Sequence, residues 1–266
     1  MKKLIFQGLV IIALFFALWF SLRAVNWVKL FKIEKLTNNT QKKLGDLFWE
    51  TFLHTEKINS NPEVERIIDS IVQKICVANS INYASIQVHI IIKEEVNAFA
   101  LPNGHLLIYS GLIAESKNAD ALSGVICHEL AHIQLNHVMQ KLIKQVGLSV
   151  LTTMTNGSGG AEIIKKTLHT LSSTAFDRSL EKEADLKAVD YLIQAKANPL
   201  PFAMFLKNLS TQEKKLSGFT NWISTHPDPI ERAKYIADYC KTPSMPYQSI
   251  ISNQTWSSLQ NNLHEQ

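Results

Sequence analysis

The sequence predicts an α+β fold: a mainly helical domain with a small β-sheet built on one hairpin, preceded by an N-terminal transmembrane helix. Three observations carry that reading. An uncharged apolar run at residues 4–22 is long enough to cross a bilayer as a helix. Short β-prone runs at 86–92, 96–101 and 105–110 stand among stretches of helical periodicity. Between them and the C-terminus, His128-Glu129-Leu130-Ala131-His132 follows the apolar or small residues 121–127, as on a buried helix.

Composition narrows the function. At 266 residues and 46% hydrophobic, the chain can bury a sizeable core, in one principal domain. A net charge of +4, with no basic run interleaved with aromatics, gives no nucleic-acid partner. Cys76, Cys127 and Cys240 are too few and too scattered for a disulfide framework or a CxxC metal site, although a Cys76–Cys240 bridge stays open.

The apolar run begins after Met1-Lys2-Lys3, and Gln7 is its one strongly polar interruption. No small-x-small cleavage site follows at 21–25, so a retained anchor (residues 1–25) is favoured over a cleaved signal peptide. Lys2 and Lys3 favour an inside N-terminus, yet Arg23, Lys29, Lys32 and Lys35 flank the other end, and charge alone does not fix the side. Residues 27–59 read as an amphipathic helix, the core of a helical linker over 26–60, with Leu36, Leu44, Leu47, Phe48, Phe52 and Leu53 as apolar points. Pro62 opens a helix over 63–78 with Val64, Ile67, Ile68, Ile71, Val72 and Ile75 on one face. The runs at 96–101 and 105–110 flank Pro102-Asn103-Gly104 as a hairpin, which could pair with a substrate backbone or be purely structural.

Two histidines four apart on a helix share a face and can bind one metal ion, and Glu129 beside them can reach a water on that metal. Neutral nitrogens suit one Zn²⁺ per chain, and a carboxylate can take the proton of a zinc-bound water. The helix is expected to run from Asn118 or Asp120 toward Gly147, which puts His137 on the face opposite His128 as a surface or supporting histidine. Residues 155–160 form a breaker, either an ordinary loop or a mobile cover. Catalytic zinc takes three protein ligands. Leu135 and Val138 occupy the offsets of an extended HExxHxxGxxH site, so the third comes from a later helix, expected over 173–195. Glu181, Glu183 and Asp185 compete: Glu181 and Asp185 share a face, one to bind zinc and the other to hold a ligating histidine, while Glu183 reads as a solvated charge. A helix over 201–209 follows, then His226 in a loop stiffened by Pro227 and Pro229, a helix to 239, and a polar, loosely held tail over 241–266.

These residues together resemble the zinc metallopeptidases that include HtpX, the CAAX prenyl proteases and the BepA-type periplasmic proteases. The matching stretches are Asn97-Ala98-Phe99-Ala100-Leu101-Pro102, the HExxH, Arg178 with Glu181 and Ala184-Asp185, and Ser224-Thr225-His226-Pro227 with Arg232. The resemblance implies a gluzincin-type metalloprotease domain over 61–240, with His128, His132 and Glu181 as zinc ligands. It also implies Asp185 as their support and His226 near the open zinc position. His226 or Arg232 is then the candidate oxyanion donor, and Asn97, Ala98 and Phe99 the strand that holds a protein or peptide substrate. His226 could also close the fourth position itself; the catalytic contact is favoured. Asp177 stands where the family usually has serine, and the extra membrane helices and helical repeats of the larger branches are missing. The chain is thus similar to the single-anchor members, whose protease domain lies outside the cytoplasmic membrane. The rival expectation is a zinc-stabilised, chaperone-like binding module without turnover, which an intact Glu129 disfavours.

Overall fold

The computed structural model describes residues 2–24, 33–157, 159–212, 220–240 and 246–263. The chain divides into two compact units, residues 1–40 and 41–266. In the first, α1 (Lys2–Ala24) is one continuous helix, as the apolar run predicts, with Phe6, Ile11, Leu14, Phe15 and Phe20 exposed. Among the described residues, however, no helix is long and apolar enough to cross a membrane. The second helix, α2 (Ile33–Thr55), passes from the first unit into the second; its expected start at Trp27 lies outside the described residues.

Sequence dictates the next elements closely. Helix α3 (Pro62–Ala78) starts where Asn61 Oδ1 accepts the Glu63 amide at 3.0 Å, with Pro62 in the first turn where no amide is needed. Its six expected apolar positions are all fully buried. Strands β1 (Gln87–Ile91), β2 (Ala98–Ala100) and β3 (His105–Tyr109) form a sheet of order β1-β3-β2, with β1 parallel and β2 antiparallel to β3. The hairpin turn holds Gly104 at φ +74, where a Cβ would also fall 2.0 Å from the Ser85 carbonyl, so only glycine fits. Alternation along β3 sends Leu106 and Ile108 to one apolar cluster and Leu107 and Tyr109 to another, so the sheet is buried on both faces. Leu44, Phe48 and Phe52 of α2 join the second cluster, and Asn59 donates its amide to the Ile90 carbonyl on the β1 edge (2.8 Å).

After a short α4 (Ser110–Glu115), the motif helix departs from expectation. It is two helices, α5 (Ala119–Gln134) and α6 (His137–Val146), parted by Asn136 in the left-handed region at φ 56. Asparagine is among the few side chains that tolerate this conformation, and a continuous period hides the break from a pattern reading. Helices α7 (Leu148–Thr155) and α8 (Ala161–Ser173) then flank the breaker, of which Ser158 lies outside the described residues. Helix α9 (Arg178–Gln194) starts five residues later than expected, because Ser173 belongs to α8. Helix α10 (Leu200–Gln212) packs Phe202 against Gly124 of α5, where a Cβ would fall 2.3 Å from the Phe202 Cβ. Two further helices follow, α11 (Thr220–Thr225) and α12 (Pro229–Tyr239).

The reading of the tail as loosely held is corrected over its described residues. Ile250, Ile251 and Leu259 are buried in the core, the last on α13 (Asn253–Asn262). Lys74 Nζ donates to the Ile250 carbonyl at 2.9 Å and Gln260 Nε2 to the Ile113 carbonyl at 2.6 Å. Three apolar anchors suffice to dock a segment whose mean composition is polar. Cys76, Cys127 and Cys240 are all free thiols.

Candidate active site

The site is built where α5 crosses α9. One helical turn brings His128 and His132 onto the same buried face, with their Nε2 atoms 3.0 Å apart. From α9, Glu181 places Oε1 3.3 Å from His132 Nε2 and Oε2 3.7 Å from His128 Nε2. From the end of α11, His226 brings Nδ1 to 3.2 Å from His128 Nε2 and 3.0 Å from Glu181 Oε1. One ligand atom from each of these four buried residues lies within 4.8 Å of the others. Zinc held at about 2.0–2.1 Å by tetrahedral donors sets those donors about 3.3 Å apart, so this cluster of three nitrogens and a carboxylate fits the ion. His226, expected near an open position, stands at the fourth corner.

Glu129 lies beside the cluster, fully buried, with Oε1 3.5 Å from His226 Nε2. The Ala100 backbone amide approaches its carboxylate, and beyond that neither carboxylate oxygen, nor His226 Nε2, has a hydrogen-bond partner among the described residues. Buried polar atoms are rarely left so, and here they converge beside the four donors. Burial pushes the Glu129 carboxyl up to about 8.

Behind the ligands is a second layer of charge. Asp185, one turn after Glu181, sets Oδ1 2.9 Å from His128 Nδ1 and takes two 2.8 Å bonds from Arg232 Nε and Nη2. Burial opposes ionisation of Asp185, but Arg232 and His128 outweigh it and hold the carboxyl below the usual range. The Tyr235 hydroxyl also donates to Asp185. Arg232 Nη1 reaches Glu181 Oε2 at 2.8 Å and the His226 carbonyl at 3.2 Å. Arg232, expected at the substrate, is 2% exposed and has its guanidinium turned to Asp185, Glu181 and the His226 backbone.

Other expected residues belong to the buried strand beside α5 or to the start of α9. Ala98 and Phe99 lie on β2, whose outer edge has no strand partner among the described residues. Asn97, just ahead of it, accepts the Tyr109 amide through its carbonyl at 3.0 Å. Arg178 is exposed and pairs with Asp228 at 2.9 Å. Beside Glu181 and Arg232 opens a pocket of about 240 Å³, also lined by Ser179, Lys182, Asp228 and Tyr235.

Sequence reasoning missed three neighbours. Phe176 stacks on His132 at 4.1 Å and Trp222 on His226 at 4.8 Å; each is a lone aromatic in a loop or short helix, with no period to expose it. Tyr235 was detectable, since it lies three residues after Arg232 and so on the same face of α12.

A HExxH helix crossed by a second helix that supplies a glutamate defines a site of the zinc-peptidase class. The chain belongs to peptidase family M48, whose model matches residues 59–239. Among curated proteins it is 29% identical to the mitochondrial metalloendopeptidase OMA1 of Bos taurus, over 56% of this chain and 31% of the relative. It is 28% identical to metalloprotease LoiP of Escherichia coli (strain K12), over 60% of this chain and 65% of the relative. To the beta-barrel assembly-enhancing protease of Yersinia pestis it is 23% identical, over 74% and 43%. The matched region thus spans less than two thirds of each of these relatives.

Proposed function

We propose that the chain is a zinc endopeptidase, in which His128, His132 and Glu181 hold the metal and Glu129 is the general base. The observation that carries this reading is the convergence of four metal-ligating atoms within 4.8 Å, next to the buried Glu129 carboxylate, which lies 3.5 Å from His226 Nε2. Zinc at that position supplies a Lewis acid for the scissile carbonyl. Glu129 takes a proton from the attacking water onto its carboxylate and delivers it to the leaving amine. Asp185 keeps His128 oriented through Nδ1, and Arg232 fixes Asp185, Glu181 and the His226 backbone in one unit.

The unpaired edge of β2 supports the reading of Ala98 and Phe99 as a rail for an extended peptide, with Asn97 at its start. The position of His226 at the fourth corner supports its role as a stopper at rest, which swings aside before a peptide carbonyl enters. Substrates are protein segments in extended or unfolded form, because only these can pair along a strand edge. We further propose that α1 anchors the chain in a membrane with residues 41–266 outside the cytoplasm, supported by the uncharged run at 4–22 and its exposed aromatic and aliphatic side chains.

The test is cleavage of unfolded casein by the full chain in detergent. Loss on chelation, return with stoichiometric zinc and no activity in Glu129→Gln are the expected results. Chelator-resistant cleavage, or zinc binding with no cleavage of any unfolded protein, would overturn the peptidase reading in favour of a binding module.

A further inference from the structure

We propose that His137 is a positioning residue for the metal site, accepting the Nδ1 proton of His132 and itself held by Glu183. The inference rests on the zinc reading above and adds a support that neither the HExxH nor the later acidic motif contains.

His132 turns Nε2 to the cluster, which leaves Nδ1 as its other polar atom. That atom lies 3.0 Å from His137 Nδ1, with both residues at most 1% exposed. Two neutral imidazoles this close share one proton, and chemistry decides which of them carries it. A histidine that gives its Nε2 lone pair to a metal must carry its proton on Nδ1, so His132 donates and His137 Nδ1 accepts. Neutral His137 then carries its own proton on Nε2, and that nitrogen faces Glu183 Oε2 at 3.5 Å. Each tautomer follows from the one before. Glu183 is half-exposed, so the series runs from the buried cluster to the surface.

The fold arranges this deliberately in the geometric sense. On an unbroken helix, five residues turn about 140°, and His137 would face away from His132. The left-handed residue Asn136 ends α5 and restarts the chain as α6, which carries His137 back beneath His132. The Asn136 side chain is itself held, accepting from Gln41 Nε2 at 3.3 Å. The two metal-facing histidines are thereby supported alike: His128 by the carboxylate of Asp185, and His132 by an imidazole backed by the carboxylate of Glu183. Loss of such an outer partner typically costs about 10- to 100-fold in metal affinity or activity.

The experiment compares His137→Leu, which fills the space without an acceptor, with His137→Asn, whose Oδ1 can occupy the place of Nδ1. Zinc affinity is read by chelator competition, the visible spectrum by cobalt substitution, and folding by the melting temperature of the metal-free chain. The expected result is zinc binding about 10- to 100-fold weaker in His137→Leu, with a shifted cobalt spectrum and kcat lowered at similar KM. His137→Asn should recover most of the affinity. Glu183→Ala, a surface change that leaves folding intact, should weaken zinc by a smaller factor, and should do nothing further in the His137→Leu background. Wild-type zinc affinity in folded His137→Leu, or equal loss in the leucine and asparagine variants, would overturn the proposal. If His137→Leu does not fold, wild-type affinity and spectrum in Glu183→Ala together with His137→Asn no better than unfolded would do the same. Failure of the zinc reading looks different, because wild-type chain would then bind no zinc tightly and His128→Ala would change nothing.

Discussion

On the proposed mechanism, Glu129 is the residue on which turnover depends without being a ligand. Replacing it with glutamine keeps its size and the three metal donors, and removes the base. Zinc content should stay at one per chain while cleavage falls by about 10² to 10⁴; metal analysis and a casein assay on one sample decide it, and unchanged cleavage removes Glu129 from the chemistry. His226 carries the opposite sign. Its Nδ1 stands 3.0–3.2 Å from two of the other donors, so an alanine there opens the fourth corner while three ligands remain. His226→Ala should retain zinc and raise cleavage of an unfolded substrate, whereas an oxyanion donor would give a loss of about 10² to 10³. Arg232 acts on folding as well as on the site. Removing it leaves the buried Asp185 and Glu181 uncompensated, and breaking a buried pair from one side costs about 3–5 kcal/mol. Arg232→Met should therefore lower the melting temperature of the metal-free chain, and an unchanged value would mean that the network is dispensable.

Among the elements, the sheet contains a pH-sensitive pair far from the metal ligands in sequence. His89 on β1 and His105 on β3 meet at 2.8 Å (Nε2 to Nδ1), and Trp49 of α2 stacks on His89 at 3.6 Å. Burial, with His105 beside it, pushes His89 from 6.5 down to about 3. Between those values the unfolded chain takes up a proton that the folded chain refuses, so stability is lost as pH falls from 6.5 toward 3. His89→Phe should shrink the drop in melting temperature between pH 7 and pH 5 relative to wild type; an equal drop would show that the pair does not contribute.

Element by element, what the sequence disclosed follows from how local the determinant is. Helix α3 was legible because a proline and six apolar positions all lie within its own span. The hairpin was legible for the same reason, and so was the face shared by Glu181 and Asp185. Choosing Glu181 over Asp185 took the family resemblance, since periodicity treats the two alike. The break at Asn136 was not legible: a single backbone angle makes it, and the residues on either side keep helical composition. That one angle also decides His137, which an unbroken helix places on the wrong face. The tail failed differently, since three anchors on a polar segment are invisible until the surface they dock against is known.

At the scale of the whole molecule, α1 bears on where residues 41–266 work. Phe6, Ile11, Leu14 and Phe20 are between 62% and 68% exposed, and Phe15, Phe16 and Trp19 add edge-to-face ring contacts along the same helix. Apolar surface of this extent on a water-exposed helix is unfavourable by about 25 cal/mol per Å², and a lipid or partner environment removes that cost. Lys2 and Lys3 at its start are matched by Arg23, Lys29, Lys32 and Lys35 after it, so charge leaves the side open and the proposal of an extracytoplasmic domain is decided by experiment. In bacterial spheroplasts expressing the chain, added protease should digest the region after residue 40 while a cytoplasmic marker survives. The chain should also stay with the membrane in high salt and alkaline carbonate and leave only with detergent. Full protection in spheroplasts, with digestion only after lysis, would reverse the orientation; release by salt would show that α1 rests on the surface instead of inserting.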